Sequence, residues 1–222
     1  MGDTVLDSVD SLDSFLGKWR ARWPEWELLA VFVPAPRRDT VAAWFTLLQE
    51  LGDAAWAGRE PAPGLAKLAW WQDELLGWSR GARRHPLGAA LQRLAAPWDA
   101  LGRSLAALPA TRAPASAGDD TRALEQFAGA LLACEAALFD EGGTEAPALA
   151  AVVDDLRRER ALVQGGPPPE AGAVAAPGLS LPRRLHGTAL DRRLRGRGDG
   201  GAASPALGPR LLLAGWRAAR RR

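Results

Sequence analysis

Asp39-Thr-Val-Ala-Ala-Trp-Phe-Thr-Leu-Leu-Gln-Glu-Leu-Gly-Asp-Ala-Ala55 is the stretch whose spacing decides the fold class. Its apolar residues Val41, Trp44, Phe45, Leu48, Leu51 and Ala55 recur at i, i+3, i+4 and i+7, the period of one helix face. Asp39 or Thr40 is a suitable cap for it. The same period runs through Leu65–Trp78, where Leu68, Trp71, Leu75 and Trp78 share a face, and through Leu87–Leu108, Thr121–Phe139 and Ala148–Val163. Val5–Trp23 and Arg210–Arg222 read as further helices. Leu28–Val33 is the one β-like run, too short to found a sheet. Nothing repeats at a fixed period, which argues against a solenoid. The expected architecture is an all-α helical bundle, with Phe45, Leu48, Leu68, Trp71, Leu75, Leu131 and Leu138 in one core.

The chain has 222 residues, 47% of them hydrophobic and 24% charged, which suits one sizeable globular domain. Cys134 is the sole cysteine and His85 and His186 the only histidines. A disulfide framework within the chain, a cysteine-rich zinc site and a histidine-rich metal centre are therefore excluded. The N-terminal region carries Asp3, Asp7, Asp10 and Asp13 rather than a secretory pattern. No run approaches the roughly 18 apolar residues of a membrane span. A cytoplasmic protein is expected, at most peripheral at the inner face of the membrane. Lys18 and Lys67 stand against 26 arginines, and tyrosine is absent. That skew has the look of a GC-rich genome and discounts arginine as a sign of phosphate binding. The ten tryptophans have no such excuse.

Charge divides the chain. Residues 1–175 carry 17 basic and 24 acidic groups, a net −7, whereas residues 176–222 carry 11 and 2, a net +9. The division falls in a Pro/Gly-rich stretch from Gly165 to Gly178 that cannot continue a helix. The expected organisation is a helical body over 1–164, a linker over 165–180 and a basic, partly helical segment over 181–222 that folds back on the body or stays solvated. Leu108–Gly118 and Gly196–Gly208 have the composition of loops.

Three segments resemble the squalene/phytoene synthase family. Phe32-Val-Pro-Ala-Pro-Arg-Arg38, continuing through the helix to Asp53, is similar to that family's Phe-x-Pro, arginine and long helix ending in its first aspartate-rich motif. Lys67-Leu-Ala-Trp-Trp-Gln-Asp-Glu-Leu75, then Gly81 and His85-Pro86-Leu87, is similar to its double-tryptophan and His-Pro stretch. Leu124-Glu-Gln-Phe-Ala-Gly-Ala-Leu131 is like its mid-chain aromatic helix. The resemblance covers about residues 28–164. It implies an isoprenoid synthase fold, with helices around a central apolar cavity.

In that family, aspartates four apart on facing helices share magnesium ions against a prenyl diphosphate. The metals offset charge as diphosphate leaves, and aromatic walls stabilise the cation. Aligned on the first motif, this chain places Gly52 and Trp56 where the two aspartates would stand, and neither can ligate a metal. Asp53 and Glu50 remain nearby. The second motif has a remnant in Asp155 and Glu159, a carboxylate pair at i, i+4. The resemblance thus implies a member without the metal-dependent activity and without a cofactor. Such a member would hold an isoprenoid or acyl chain, or help a membrane-protein complex as the related assembly factor of mitochondrial respiratory complex I does. The alternative is a divergent prenyltransferase joining prenyl diphosphates head to head, with magnesium on Glu50, Asp53, Asp155 and Glu159 and catalysis by Asp53, Asp155 and Glu159.

Each candidate also has a plainer role. Asp155 and Glu159 can pair with Arg157, Arg158 and Arg160, and Asp53 can be an ordinary residue near a helix end. Arg37 and Arg38 precede a helix N-terminus, an anion site by nature, and are the candidate diphosphate binders. Trp70 and Trp71 are candidate substrate-binding walls, although at least one belongs to the core. His85 before Pro86 suits capping or packing, and Cys134 a small buried hydrophobe. There is no Gly-x-Ser-x-Gly, no P-loop and no credible nucleophile–histidine pair. The basic segment suits an anionic membrane surface; no nucleic-acid-binding module accompanies its arginines.

Overall fold

In the computed structural model the chain is described over residues 3–167, 169, 176–198 and 208–220, and no strand occurs among them. Residues 168 and 170–175 of the Pro/Gly-rich stretch, 199–207 of the Gly196–Gly208 loop, and Arg221 and Arg222 lie outside the described residues. Ten α-helices follow in order: α1 Asp3–Arg22, α2 Trp26–Leu29, α3 Arg38–Trp56, α4 Pro61–Trp78, α5 Leu87–Leu91, α6 Trp98–Ser104, α7 Ala117–Phe139, α8 Ala146–Gln164, α9 Leu181–Gly198 and α10 Pro209–Arg220. The fold is an all-α bundle.

The deciding stretch forms α3, the central helix. Eleven of its 19 residues are buried, and α1, α4, α5 and α8 all pack against it. A helix apolar on most sides must lie inside others. Its last carbonyls face Arg112, whose Nη1 donates to Ala55 at 3.1 Å and whose Nη2 donates to Ala57 at 3.1 Å. A guanidinium at a helix C-terminus suits the dipole. All seven expected core residues pack into the core: Phe45, Leu68, Trp71, Leu75 and Leu131 are fully buried, and Leu48 and Leu138 are partly so.

Two sequence expectations need correcting. Leu28–Val33 is not β-like; α2 leads into a 3-10 turn over Ala30–Phe32, closed by Val33 N–H donating to the Ala30 carbonyl at 3.1 Å. Leu29 and Val33, four apart, are the two residues of this run that it buries. No partner strand exists among the described residues to favour an extended form. Nor is Leu87–Leu108 one helix. α5 ends at Leu91, residues 92–97 lie in neither helix, and α6 starts afresh at Trp98 directly after Pro97, a residue that disfavours helical geometry in the one before it. A 3-10 segment, Leu105–Thr111, then carries the chain to Ser116, whose Oγ caps α7 by accepting from Asp119 N–H at 3.1 Å.

The basic segment folds back on the body. Leu185, Ala189 and Leu190 of α9 are fully buried, and α9 packs on α8 while α10 packs on α9 and α2. The solvated alternative does not hold for α9.

Candidate functional site

A cavity of about 150 Å³ opens between the end of α1, α3, α8 and α9. The sequence accounts for its walls. Phe45, Leu48, Gly52 and Trp56 are spaced so that α3 turns one continuous stripe towards it, and Glu159, Leu162 and Val163 do the same from α8. A second space of about 10 Å³ lies beside it, and Leu48, Gly52, Trp56 and Glu159 border both. The Trp56 side chain is one of the walls they share. It is buried, its Nε1 donates to Thr111 Oγ1 at 2.9 Å, and a Cβ added at Gly52 would lie 3.3 Å from its ring. Glycine at 52 gives the indole at 56 room to fold across its own helix. Gly52 and Trp56 are structurally one feature.

Of the four candidate carboxylates, Asp53 and Glu159 border the cavity and Glu50 and Asp155 do not; each of the four faces a base of the chain. Glu50 accepts from Lys67 Nζ at 2.6 Å. Both Asp53 oxygens accept from Arg22 Nη1 at 2.9 Å. Asp155 faces Arg158 at 3.3 Å, and Arg158 also donates to Asp191 at 3.0 Å. Glu159 Oε1 lies 2.9 Å from His186 Nε2. Among the described residues no group of three or more histidine, cysteine, aspartate or glutamate side chains could hold a metal ion. Each of the four carboxylates thus answers a base of the chain.

The environment divides these acids further. Burial raises Asp53 despite the Arg22 guanidinium beside it. Burial would also raise Glu159, but His186, Arg183 and Arg22 hold it below the usual range. Asp155 is pushed up to about 6: its burial, with the like charge of Glu159, outweighs the attraction of Arg183, His186 and Arg158. Asp155 thus binds its proton more tightly folded than unfolded. Its favourable contribution is present in acid and is lost as pH rises from about 4 to about 6. Asp155→Asn stays neutral throughout, so its stability relative to wild type should rise by up to roughly 3 kcal/mol between pH 4 and pH 7. Urea denaturation of both proteins across that range checks this; a flat difference refutes it.

The remaining candidates lie elsewhere. Arg37 donates to the Phe139 carbonyl and to Asp140 Oδ2, the latter at 3.2 Å, closing the end of α7. Arg38 Nε donates to the Val33 carbonyl at 3.0 Å. Trp71 is fully buried and packs on Trp78 and His85; Trp70 is partly exposed beneath the Arg84 guanidinium. None of the four borders either cavity. The double-tryptophan segment instead builds a latch. Buried Glu74 accepts from Trp78 Nε1 at 2.8 Å, from the backbone N–H groups of Arg84 and His85 at 2.7 and 2.8 Å, and from Arg84 Nε at 2.9 Å. It fixes the His-Pro turn, where His85 Nδ1 accepts from Leu87 N–H at 3.2 Å.

What sequence reasoning missed is a set of buried ion pairs that α9 makes with the body. Arg183 Nε donates to Glu135 at 3.0 Å, and Trp44 Nε1 and Ser180 Oγ donate to the same carboxylate at 3.0 Å each. Arg193 grips both oxygens of Glu25 at 2.9 and 3.0 Å. Asp191 meets Arg158, and His186 meets Glu159. The ring of His186 also stacks on Phe45, with centroids 4.5 Å apart. The opposite charges of the two chain regions are thus partly consumed inside the molecule. A signal existed: Glu135 is the lone acid in the apolar run Leu131–Leu138.

Comparison of the chain with protein-family models, with curated proteins and with solved structures finds no match to any of them.

Proposed function

We propose that this chain is a squalene/phytoene-synthase-like helical protein without metal-dependent prenyl transfer, acting as a helper or binding protein at a membrane-associated assembly. One observation carries the reading: Glu50, Asp53, Asp155 and Glu159 are each held by a base of the chain, Lys67, Arg22, Arg158 and His186. Loading metals there would displace these bases; Lys67 and Arg22 are part-exposed and Arg158 keeps Asp191, so the cost falls on the buried contacts at Asp155 and Glu159. The interior supports the helper role over storage of a long chain. About 150 Å³ falls below the roughly 300–1,000 Å³ of pockets that enclose drug-sized ligands, and the adjoining space bordered by Trp56 adds only about 10 Å³. The cavity has room for a small guest only, beside two buried polar atoms without a hydrogen-bond partner, Gln49 Oε1 and His186 Nδ1.

The alternative, a divergent prenyltransferase, rests on Asp155 and Glu159 sharing one face of α8. The test is incubation with farnesyl or geranylgeranyl diphosphate and millimolar magnesium. We expect no pyrophosphate release and no rise in melting temperature. A ligand at about 100 times its dissociation constant would stabilise by roughly 2.7 kcal/mol, a rise of about 5–10 °C for a protein of this size. Magnesium-dependent pyrophosphate release that disappears in Asp155→Asn overturns the proposal in favour of the prenyltransferase.

A further inference from the structure

The strongest unabsorbed feature is the outer face of α10. Leu211, Gly215 and Ala218 point inward. A Cβ added at Gly215 would lie 2.7 Å from both the Leu29 and Phe32 side chains, so glycine lets the helix seat directly on the segment after α2. The opposite face is apolar and open: Leu212, Leu213 and Trp216 are 37%, 47% and 46% exposed. These are half of the exposed large hydrophobic residues among those described, on one 12-residue helix. Arg210, Arg217 and Arg220 flank them, and the Arg220 guanidinium lies 4.7 Å from the Trp216 ring centre. No acidic residue occurs from 200 to 222.

We propose that α10 is a membrane-contact helix that lies flat on an anionic lipid surface. Leucine and tryptophan then enter the boundary between headgroups and acyl chains, and the arginines meet lipid phosphates. Three arguments select a bilayer as the occupant. The face carries charge of one sign, complementary to anionic headgroups. Its apolar residues include an indole flanked by guanidinium groups, the pattern of interfacial helices. It offers no carboxylate, amide or hydroxyl side chain with which to fix the orientation of a protein partner. The helix is already held against the body, so little ordering remains to be done on contact. Among the described residues no helix is long and apolar enough to cross a membrane, and the contact is peripheral. Truncation after Pro177 is not a usable test, because it would remove the partners of Glu25 and Glu135.

The full chain should co-sediment with phosphatidylcholine vesicles containing 30% phosphatidylglycerol, and not with phosphatidylcholine alone. Binding should weaken steeply with salt, because exposed charges are screened beyond about 8 Å at physiological ionic strength. Replacing Arg210, Arg217 and Arg220 together by glutamine should reduce binding about a hundredfold, since each basic residue near the surface contributes roughly a fivefold factor. Replacing Leu212, Leu213 and Trp216 together by serine should reduce it at least about tenfold. All six side chains are exposed, so both variants should keep the wild-type melting temperature, which is measured first. Binding to anionic vesicles that survives both replacements overturns the proposal. Equal binding to neutral vesicles overturns it, as does no binding by the full chain, which would leave the face to a protein partner. The inference goes beyond the interior reading and stands apart from it: pyrophosphate release tests one and vesicle binding the other.

Discussion

Glu135→Ala is expected to lose about 3–5 kcal/mol of unfolding free energy and about 6–20 °C in melting temperature. The carboxylate removed is fully buried, and the guanidinium it leaves behind is too: Arg183 is 1% exposed. Glu159 and Asp155 also act on this guanidinium, but Glu135 is the carboxylate bonded to it, and a desolvated cation that loses its bonded counter-charge is costly. The same variant strips Trp44 Nε1 and Ser180 Oγ of their acceptor, adding two unsatisfied buried donors. Pairing the change with Arg183→Met should recover much of the loss, because a buried ion pair replaced by apolar groups is often neutral. The double-mutant cycle therefore separates the penalty of an orphaned charge from the net worth of the pair. Equilibrium urea unfolding of the four proteins measures it. A single variant within about 1 kcal/mol of wild type would contradict a buried, dry contact.

Trp56→Ala should be comparably costly, about 3–5 kcal/mol, for a different reason. The indole borders both internal spaces, so its loss enlarges them. The walls mix apolar side chains with Arg22, Gln49, Asp53, Glu159 and His186, so the enlarged space admits water as well as a guest. Added indole should raise the melting temperature of Trp56→Ala by more than that of wild type. A long isoprenoid alcohol tested the same way would show whether the enlarged space takes a chain that the native interior excludes. A variant as stable as wild type would mean that the helices collapse onto the gap, and that Trp56 does not hold them apart.

The helical class was legible because helix spacing is a local property. Val41, Trp44, Phe45, Leu48 and Leu51 fall on one stripe wherever the rest of the chain goes, and they pack as that stripe requires. The start of α6 after Pro97 was equally local, and the proline stood in plain view. The interior polar network was not legible, because nothing near Glu135 in sequence announces Arg183. The apolar residues Leu181, Leu185, Ala189 and Leu190 keep helical spacing through α9, but they are interleaved with arginines that composition had discounted. For the site, the sequence brought Gly52 and Trp56 forward only through a resemblance. It could not say that the two residues pack on each other, nor that Lys67, Arg22, Arg158 and His186 take up the remaining carboxylates.

The contact between Glu25 and Arg193 joins residues 168 positions apart. On a ribosome adding about 5–20 residues per second, Glu25 waits on the order of ten to thirty seconds for its counter-ion to be made. Glu135, Asp155 and Glu159 wait for α9 as well. During that interval the emerging helices cannot close over these carboxylates without burying bare charge, so they stay hydrated and the bundle stays loose. The expected order of folding is that local helices form as they emerge and the interior closes once α9 delivers its arginines and His186. Contacts of such long sequence separation slow folding and lengthen the time that apolar surface is exposed. The acidic surplus of the earlier residues, −7 over 1–175, supplies mutual repulsion between unfinished chains during the time they most need it.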